Sequence, residues 1–441
     1  MSIQNRIRSY YLLLFLICSA LLTAQCGPAG NDSRPAEVAA GTIRWRTWEM
    51  SSQAETTLIE QFRELYPQVE FERKGMNGAL TDVFGETPLP DLFNSDAGQE
   101  LDALIRQNRV ADATEIWIKS GLQEQIPASL QQLTERDGKQ FYVPFGFGWV
   151  GIYYNKQVFA DYGLTPPATW EEFLQICDTL RANGETPLAI SANEPWSTYL
   201  WFEYLNLRLN GPDFHRGLLT GRERYDDSRV RTVLETWQSL FTHGYYVENP
   251  QALGGMDIIA ALVRNERARD LTREKAVMAL TETYNSSQLP QLFLDELGFF
   301  RFPIVNPDIP VAEVVYPFGY GVPIGADHIP QAMAFLTYLS TPEAQVIIAQ
   351  EGIFSGVTYA PVRRDVDVSL LRTDQQQALA MLDETAVVVP HMWLALPGTV
   401  WGGMEYEFTR FVRAPHDVDI FMQQAEEARQ RGVASGQLTQ E

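Results

Sequence analysis

The stretch that decides the fold is residues 138–169, GKQFYVPFGFGWVGIYYNKQVFADYGLTPPAT, which runs directly into a Trp-Glu-Glu-Phe segment at 170–173. Thr169 and Glu172 have the spacing of a capping box, in which each side chain satisfies a backbone N–H that the first helical turn leaves free. Apolar residues then recur at helical spacing, and Gly184 is placed to end the helix. These start and stop signals predict a helix with well-defined ends directly after an apolar, glycine-containing segment.

Strand-like and helix-like patterns alternate on both sides of this stretch. Upstream, Ile43, Trp45 and Thr47 share one face of a short strand, a helical pattern follows, and a second strand begins at Val69. Further units have the same rhythm: a Pro-Asp-Leu-Phe strand at 90–93 with a helix after it, a PLAIS strand at 187–191, and a helix after Thr341-Pro342. Such alternation predicts an α/β fold with a largely parallel sheet.

Composition narrows the classes of protein. The chain has 441 residues, 45% of them hydrophobic, which is enough for a large buried core. Its formal net charge of −22 repels phosphate backbones, so nucleic acid is excluded as an expected partner. Two of the three cysteines lie near the N-terminus, which leaves Cys177 without a partner for a disulfide framework. On the apolar side of a predicted helix, Cys177 is interpreted as a core residue.

The N-terminal segment indicates export. Two arginines precede an apolar run over residues 10–24, which is shorter than the roughly 20 residues of a transmembrane helix and predicts a signal peptide over residues 1–25. The run ends in Leu-Thr-Ala-Gln-Cys, which resembles a bacterial lipoprotein processing site and makes Cys26 the expected lipid attachment point. The alternative is a soluble exported protein cut nearby, because Gln25 stands where Gly, Ala or Ser is usual. The Pro/Gly-rich residues 26–41 predict a flexible tether.

Separated segments resemble those of one family, in the same order along the chain. They are Val143-Pro144 and Tyr154-Asn155-Lys156 around an expected crossing, the Trp-Glu-Glu helix after it, FRELYPQVEF at 62–71, KAVMALTETY at 275–284, YPFGYGVPIGA at 316–326 and Ser-Thr-Pro-Glu-Ala at 340–344. Together they resemble the extracellular solute-binding proteins of carbohydrate ABC importers, the type that includes maltose-binding protein. The resemblance covers most of residues 43–362.

This resemblance implies a two-lobed α/β fold of the type II periplasmic-binding-protein kind, with the ligand cleft between the lobes. We expect lobe 1 to comprise residues 42–146 and 317–357, and lobe 2 to comprise residues 147–316 and 358–441. The implied function is reversible capture of a mono- or oligosaccharide for delivery to a membrane permease, without catalysis. The implied partners are two membrane-spanning permease chains and their ATPases. The protein itself is expected outside the cytoplasm, anchored by its lipid to the membrane, in the periplasm or on the outer face of the cell membrane.

Three candidate binding residues follow early strands. Trp48 and Glu49 end the first strand, where ligand sites of parallel sheets begin, although Trp48 can equally pack beneath the following helix. Asp96 follows the Pro-Asp strand at a place where the family often has an acid that contacts ligand. Its alternative role is the N-cap of the helix that begins near residue 97.

The other candidates are aromatic, because a sugar presents apolar C–H faces together with hydroxyl groups. Trp149 lies in the expected first crossing and is predicted to face the cleft. Trp196 follows Asn-Glu-Pro, where the family has an aromatic residue that stacks on sugar. Tyr284 takes a position where many relatives have Trp. Phe318 and Trp401 are further candidates, since aromatics beside glycine mark either binding or a tight backbone approach.

Two rival interpretations stay open. Asn-Glu-Pro after a strand also resembles the acid/base motif of retaining glycosidases built on a (β/α)₈ barrel, with Glu194 as acid and Glu282 as second carboxylate. The other rival is a binding protein for a peptide, a polyamine or a metal ion. The five histidines show no metal-ligand spacing, and no Walker-type glycine loop occurs, so no cofactor is expected and ATP is consumed by another subunit.

Overall fold

The computed structural model describes most of the chain after the N-terminal segment: residues 38–47, 52–76, 78–268, 271–352, 358–438 and 440. Residues 39–441 form one compact unit. Within the described ranges, no helix combines the length and the apolar character that a membrane crossing requires.

The strands, in chain order, are β1 (Gly41–Thr47), β2 (Val69–Gly75), β3 (Leu92–Asp96), β4 (Glu135–Arg136), β5 (Lys139–Gln140), β6 (Val143–Asn155), β7 (Met278–Glu282), β8 (Leu297–Phe300), β9 (Ala312–Gly321) and β10 (Val387–Val389). The helices of the first part of the chain are α1 (Ser52–Leu65), α2 (Leu80–Val83), α3 (Gln99–Arg106), α4 (Thr114–Lys119), α5 (Leu122–Gln125), α6 (Ala128–Thr134), α7 (Lys156–Asp161), α8 (Trp170–Ala182), α9 (Pro195–Thr220) and α10 (Ser228–Thr242). Those of the second part are α11 (Gly255–Ala260), α12 (Thr283–Ser287), α13 (Gln291–Leu294), α14 (Ile329–Leu339), α15 (Pro342–Glu351), α16 (Thr373–Asp383), α17 (Met392–Ala395), α18 (Gly398–Arg413) and α19 (Val418–Ala434), with short 3₁₀ turns at Pro250–Ala252, Glu266–Ala268 and Val368–Leu370.

The main sheet is mixed. Its strands follow the order β2-β1-β3-β9-β6-β7, with β10 beside β9 and β8 beside β6. β1 is parallel to β2 and β3, as the βαβ pattern predicts. The two long strands β6 and β9 run antiparallel to each other, and β9 is also antiparallel to β3. The prediction of a largely parallel sheet is therefore wrong. The long strands β9 and β6 lie between β3 and β7 in the strand order, and they pair antiparallel with each other and with those two strands.

Local sequence signals at helix ends agree with the structure. Thr169 Oγ1 accepts a hydrogen bond from the Glu172 N–H, and the Glu172 carboxylate accepts one from the Thr169 N–H. Backbone N–H groups of Ala168 and Thr169 lower the pKa of Glu172, since they stabilise its charged form. The predicted strand at 187–191 is reduced to isolated bridges, because only Leu188 pairs with neighbouring segments, at Tyr246 and Met278.

Helix α9 carries interior groups toward the cavity described below. It is buried on most of its surface and is interrupted at Gly211, where φ is +84° and Pro212 follows. Its buried polar residues include Glu203 and Arg208. Beside it, Cys177 of α8 is buried in the main core, and burial raises the pKa of its thiol, so it is a core residue as predicted.

Candidate ligand-binding site

A cavity of about 520 Å³ lies where β7, β9 and the start of α9 approach one another. This volume falls in the range of pockets that bind small molecules. Aromatic and acidic side chains dominate its wall, which is formed by Asp96, Glu194, Trp196, Gly255, Met256, Glu282, Tyr284, Asn285, Gln288, Tyr316, Phe318, Tyr359 and Trp393.

The paired strands β6 and β9 position the inner aromatic wall. Gly148 of β6 lies opposite Tyr316 of β9, and a Cβ at residue 148 would overlap the Tyr316 ring. The glycine therefore leaves room for this ring beside the β6 backbone. Tyr316, Phe318 and Tyr359 then form a cluster of rings, with centroids 5.3 Å apart for the first two and 4.3 Å apart for the last two.

Asp96 is the last residue of β3 and lies at the cavity wall. Its side chain does not cap the next helix, because the N-cap of α3 is Gly98. Oδ1 of Asp96 is buried and has no hydrogen-bond partner among the described residues. Burial, followed by the nearby charges of Glu100 and Glu282, raises the pKa of Asp96 to about 8.

Glu282 is the second buried acid and connects the cavity to a chain of interior groups. Its carboxylate lies 3.5 Å from Nε2 of His391, whose Nδ1 lies 3.6 Å from Glu203 and 3.2 Å from the Tyr199 hydroxyl. Burial raises the pKa of Glu282, and His391 and the Tyr316 hydroxyl oppose that rise. Burial also acts to raise the pKa of Glu203, but His215 and His391 outweigh it and hold that pKa below its ordinary value.

Four predicted site residues come together at this cavity: Asp96, Trp196, Tyr284 and Phe318. Tyr284 is 41% exposed, so its ring is available at the mouth. Trp196 is the second residue of α9, and its ring packs edge-on against Trp393 at 5.4 Å. Their contact with a ligand stays a prediction.

Trp149 and Trp401 lie elsewhere. The Trp149 side chain is fully buried and packs against Phe147 and Phe299, on the face of β6 away from Tyr316. The structure therefore does not place Trp149 at the cavity wall, because the strand presents Gly148 there. Trp401 packs on Tyr199 and lines a neighbouring cavity of about 460 Å³, which shares Asp96 and Trp393 with the first.

Three further predictions, Trp48, Glu49 and Cys26, lie outside the described residues. Four residues at or beside the cavity were not predicted from the sequence as site residues: Tyr316, Tyr359, Trp393 and His391. Tyr316 lies in the segment at 316–326 that resembles the family, so the sequence could have identified it as a candidate site residue. Trp393 and His391 belong to the last part of the chain, where the resemblance is loose and only the folded structure brings them next to α9.

The chemistry of the cavity suits a ligand with apolar faces and hydrogen-bond donors. Ring faces exclude water from C–H surfaces, and carboxylate and amide oxygens accept hydroxyl protons. Within the described ranges, no three histidine, cysteine or acidic side chains are grouped so that they could hold a metal ion. Glu194 and Glu282, the pair of the glycosidase interpretation, both line this cavity.

Comparison with known proteins gives the family. The profile of the bacterial extracellular solute-binding proteins matches residues 49–346. An uncharacterized ABC transporter extracellular-binding protein of Pyrococcus horikoshii is 22% identical over 356 residues, which is 76% of this chain and 75% of that protein. The multiple sugar-binding protein of Streptococcus mutans is 23% identical over 62% of this chain and 61% of its own length.

Solved structures agree on the fold. The bacterial solute receptor AcbH, described as preferring β-D-galactopyranose, superposes with a TM-score of 0.76 at 20% identity, over 90% of this chain and 98% of that one. A chitin oligosaccharide binding protein gives 0.70 at 19% identity, over 89% and 99%. The predicted two-lobed type II fold is thereby confirmed, and the matched proteins are solute-binding receptors, not enzymes. The chain belongs to the family of bacterial extracellular solute-binding proteins.

Proposed function

We propose that the protein captures a mono- or oligosaccharide in the cavity beside β9 and delivers it to the permease of an ABC importer. The observation that carries this proposal is the wall itself, in which Trp196, Tyr284 and Phe318 offer ring surfaces next to the carboxylates of Asp96 and Glu282. Sugar rings need both kinds of partner. Relatives named as sugar-binding proteins in Streptococcus mutans and Rhizobium meliloti support the same ligand class.

Hydrolysis is the rival activity that the cavity itself suggests, since Glu194 and Glu282 share one wall. Against it, the family consists of receptors, and the sheet is not a (β/α)₈ barrel. The buried partner of Glu282 is His391, which also lies beside the buried Glu203.

We expect saturable sugar binding without turnover. Calorimetry against a panel of mono- and oligosaccharides should find a ligand with a Kd of about 1 μM, roughly −8 kcal/mol, while aryl glycosides stay intact. Mass spectrometry of the ligand released from freshly purified protein selects the panel. Hydrolysis that disappears in Glu194→Gln would support the glycosidase instead, and no binding to any sugar would remove the carbohydrate assignment.

Delivery to a permease implies closure of the two lobes around the ligand. We keep the lobe bounds proposed from the sequence, residues 42–146 with 317–357 and residues 147–316 with 358–441. A ligand favours the closed form only through contacts that the open form lacks. The two chain crossings lie on β6 and β9, and each contains a glycine at which there is no room for a side chain. The Tyr316 ring lies against Gly148, and the Val143 carbonyl lies against Gly319.

We further propose that the protein is exported and lipid-anchored through Cys26. Acylation adds a favourable free energy of about 0.8 kcal/mol for each methylene that enters the bilayer. When the gene is expressed in a bacterium with its full signal, wild-type protein should partition into detergent, and Cys26→Ser should stay in the aqueous phase. Equal partitioning of both proteins would contradict the anchor and favour the soluble exported form.

A further inference from the structure

The charges around the cavity are one-sided. Asp96, Glu194 and Glu282 line it, and none of the described lining residues is lysine or arginine. Two of the three acids are largely buried, with exposed fractions of 9% for Asp96 and 8% for Glu282. Buried carboxylates are normally paired with a cation or held by several hydrogen bonds, because water no longer stabilises their charge.

Among the described residues, Oδ1 of Asp96 has no such partner. This oxygen is buried and accepts no hydrogen bond from them. Besides burial, which is the larger cause, the charged groups of the described chain that raise the pKa of Asp96 are Glu100 on α3 and Glu282 on β7, both acidic. The hydroxyls of Tyr142 and Tyr359 are also close enough for the charge of Asp96 to raise their pKa values, again after burial. An unpaired acceptor atom therefore lies buried in a residue of the cavity wall, and the described lining residues include no lysine or arginine that could pair with it.

Glu282 is only partly compensated. Among the described residues, His391 is the one basic group beside it, at 3.5 Å, and the same imidazole lies 3.6 Å from Glu203. One ring thus serves two buried carboxylates, and its Nε2, on the Glu282 side, makes no hydrogen bond within the described structure. The cavity side of Glu282 has capacity for one more positive partner.

Aromatic rings lie near both acids. Tyr359 is close enough to both Asp96 and Glu282 for each charge to raise its pKa, after burial, which is the larger cause. Its ring packs on Phe318, which packs on Tyr316. Faces of aromatic rings attract cations, and the attraction grows in a site from which water is excluded.

We propose that the ligand is a sugar that carries a protonated amino group, with the ammonium bound by Asp96 and Glu282 against the rings of Tyr316, Phe318 and Tyr359. This inference rests on the proposed function, because the sugar part of the ligand is taken from it. The ammonium supplies three N–H donors and places a positive charge next to the two acids.

Other charge classes fit less well. An anionic sugar, such as a uronic acid or a sugar phosphate, would meet three carboxylates and no lysine or arginine among the described wall residues. A bare metal ion needs three or more ligands in close grouping, and the described side chains offer no such group. A neutral sugar can donate hydroxyl hydrogen bonds, but it adds no positive partner for Glu282 and does not favour the ionised form of Asp96.

Binding of the ammonium should release a proton. With its pKa raised to about 8 by burial and by Glu100 and Glu282, Asp96 is mostly protonated at pH 7 in the empty site. A bound cation favours the ionised form and lowers that pKa, so up to one proton leaves for each ligand that is already protonated when it binds. A neutral sugar would leave the protonation of Asp96 largely unchanged.

The experiment compares matched sugars on the mature wild-type protein by calorimetry at pH 7. The probes are D-glucosamine, D-galactosamine and the glucosamine di- and trisaccharides, each beside its N-acetylated and its neutral hydroxyl counterpart, with glucuronic and galacturonic acid as anionic probes and spermidine as a cation without a sugar ring. Repeating each titration in two buffers of different ionisation enthalpy counts the protons released. We expect at least one amino sugar to bind about tenfold or more tightly than both of its counterparts, with proton release.

Variants separate charge from shape. Asp96→Asn keeps the size of the side chain, and we expect it to weaken the amino sugar about tenfold to a hundredfold, to change its neutral counterpart less, and to abolish proton release. Glu282→Gln should act in the same direction. Glu343→Gln, which removes the same charge from an exposed site on α15, is the control and should match wild type.

The outcomes distinguish this inference from the function on which it rests. If a neutral or N-acetylated sugar binds saturably and as tightly as its amino counterpart, the carbohydrate function stands and the amino-sugar inference is overturned. Retention of the amino-sugar preference in both Asp96→Asn and Glu282→Gln would also overturn it. Binding of spermidine with no binding of any sugar would overturn the inference and the proposed function together.

Discussion

Replacing Arg208 by methionine should lower the free energy of unfolding by about 3–5 kcal/mol. Arg208 on α9 and Glu313 on β9 form a salt bridge of 2.7 Å in which both side chains are almost fully buried. Glu313 also accepts a hydrogen bond from the Tyr204 hydroxyl and lies 3.0 Å from Arg301. Without Arg208, the Glu313 charge stays in the interior with one partly exposed arginine, and the Phe302 carbonyl loses a donor.

Chemical denaturation of the ligand-free protein measures this effect. The matched control is Arg231→Met, which breaks an exposed pair with Asp419 and should change stability by less than about 1 kcal/mol. Equal losses in the two variants would mean that water reaches Glu313 in the folded protein. A double variant with Arg208→Met and Glu313→Leu should recover part of the loss, since it removes the unpaired charge.

Local rules predicted those parts of the fold that depend on neighbours in sequence. The capping box at Thr169 and Glu172, and the helix that begins at Pro342 after Thr341, need only a few adjacent residues, and both are present. The direction of β6 and β9 could not be derived in this way, because strand direction depends on the path of the chain between them. For the same reason, the sequence predicted a largely parallel sheet, whereas the sheet is mixed.

The cavity shows a similar division. Asp96, Trp196 and Tyr284 were selected because each stands next to a segment that resembles the family, and the structure brings all three to one cavity. Trp393 and His391 were missed, since their closeness to α9 arises only from folding of the last part of the chain. For Trp149, strand alternation gave two possible faces, and nothing in the sequence told which of them the cavity occupies.

The two tryptophans on which the sequence analysis relied most should therefore behave in opposite ways. Trp149→Ala removes a fully buried ring from contact with Phe147 and Phe299, and we expect it to lower the free energy of unfolding by about 3–5 kcal/mol. We expect the cavity that this leaves to stay open, because the neighbouring rings of Phe147 and Phe299 are fixed on the paired strands β6 and β8 and cannot move into it. Denaturation without ligand measures this loss directly.

Trp196→Ala should leave that stability almost unchanged and weaken sugar binding by about 2 kcal/mol, or roughly thirtyfold. Its ring is only partly buried at the start of α9, where it meets Trp393 at the cavity wall. Removing it therefore costs little packing, but it exposes the apolar face of a bound sugar to water. Calorimetry with the sugar that the panel titration finds measures the change. The increase in melting temperature that this sugar induces should become smaller as well. A large loss of ligand-free stability in Trp196→Ala, with unchanged affinity of the folded fraction, would contradict a binding role and make this ring a packing residue like Trp149.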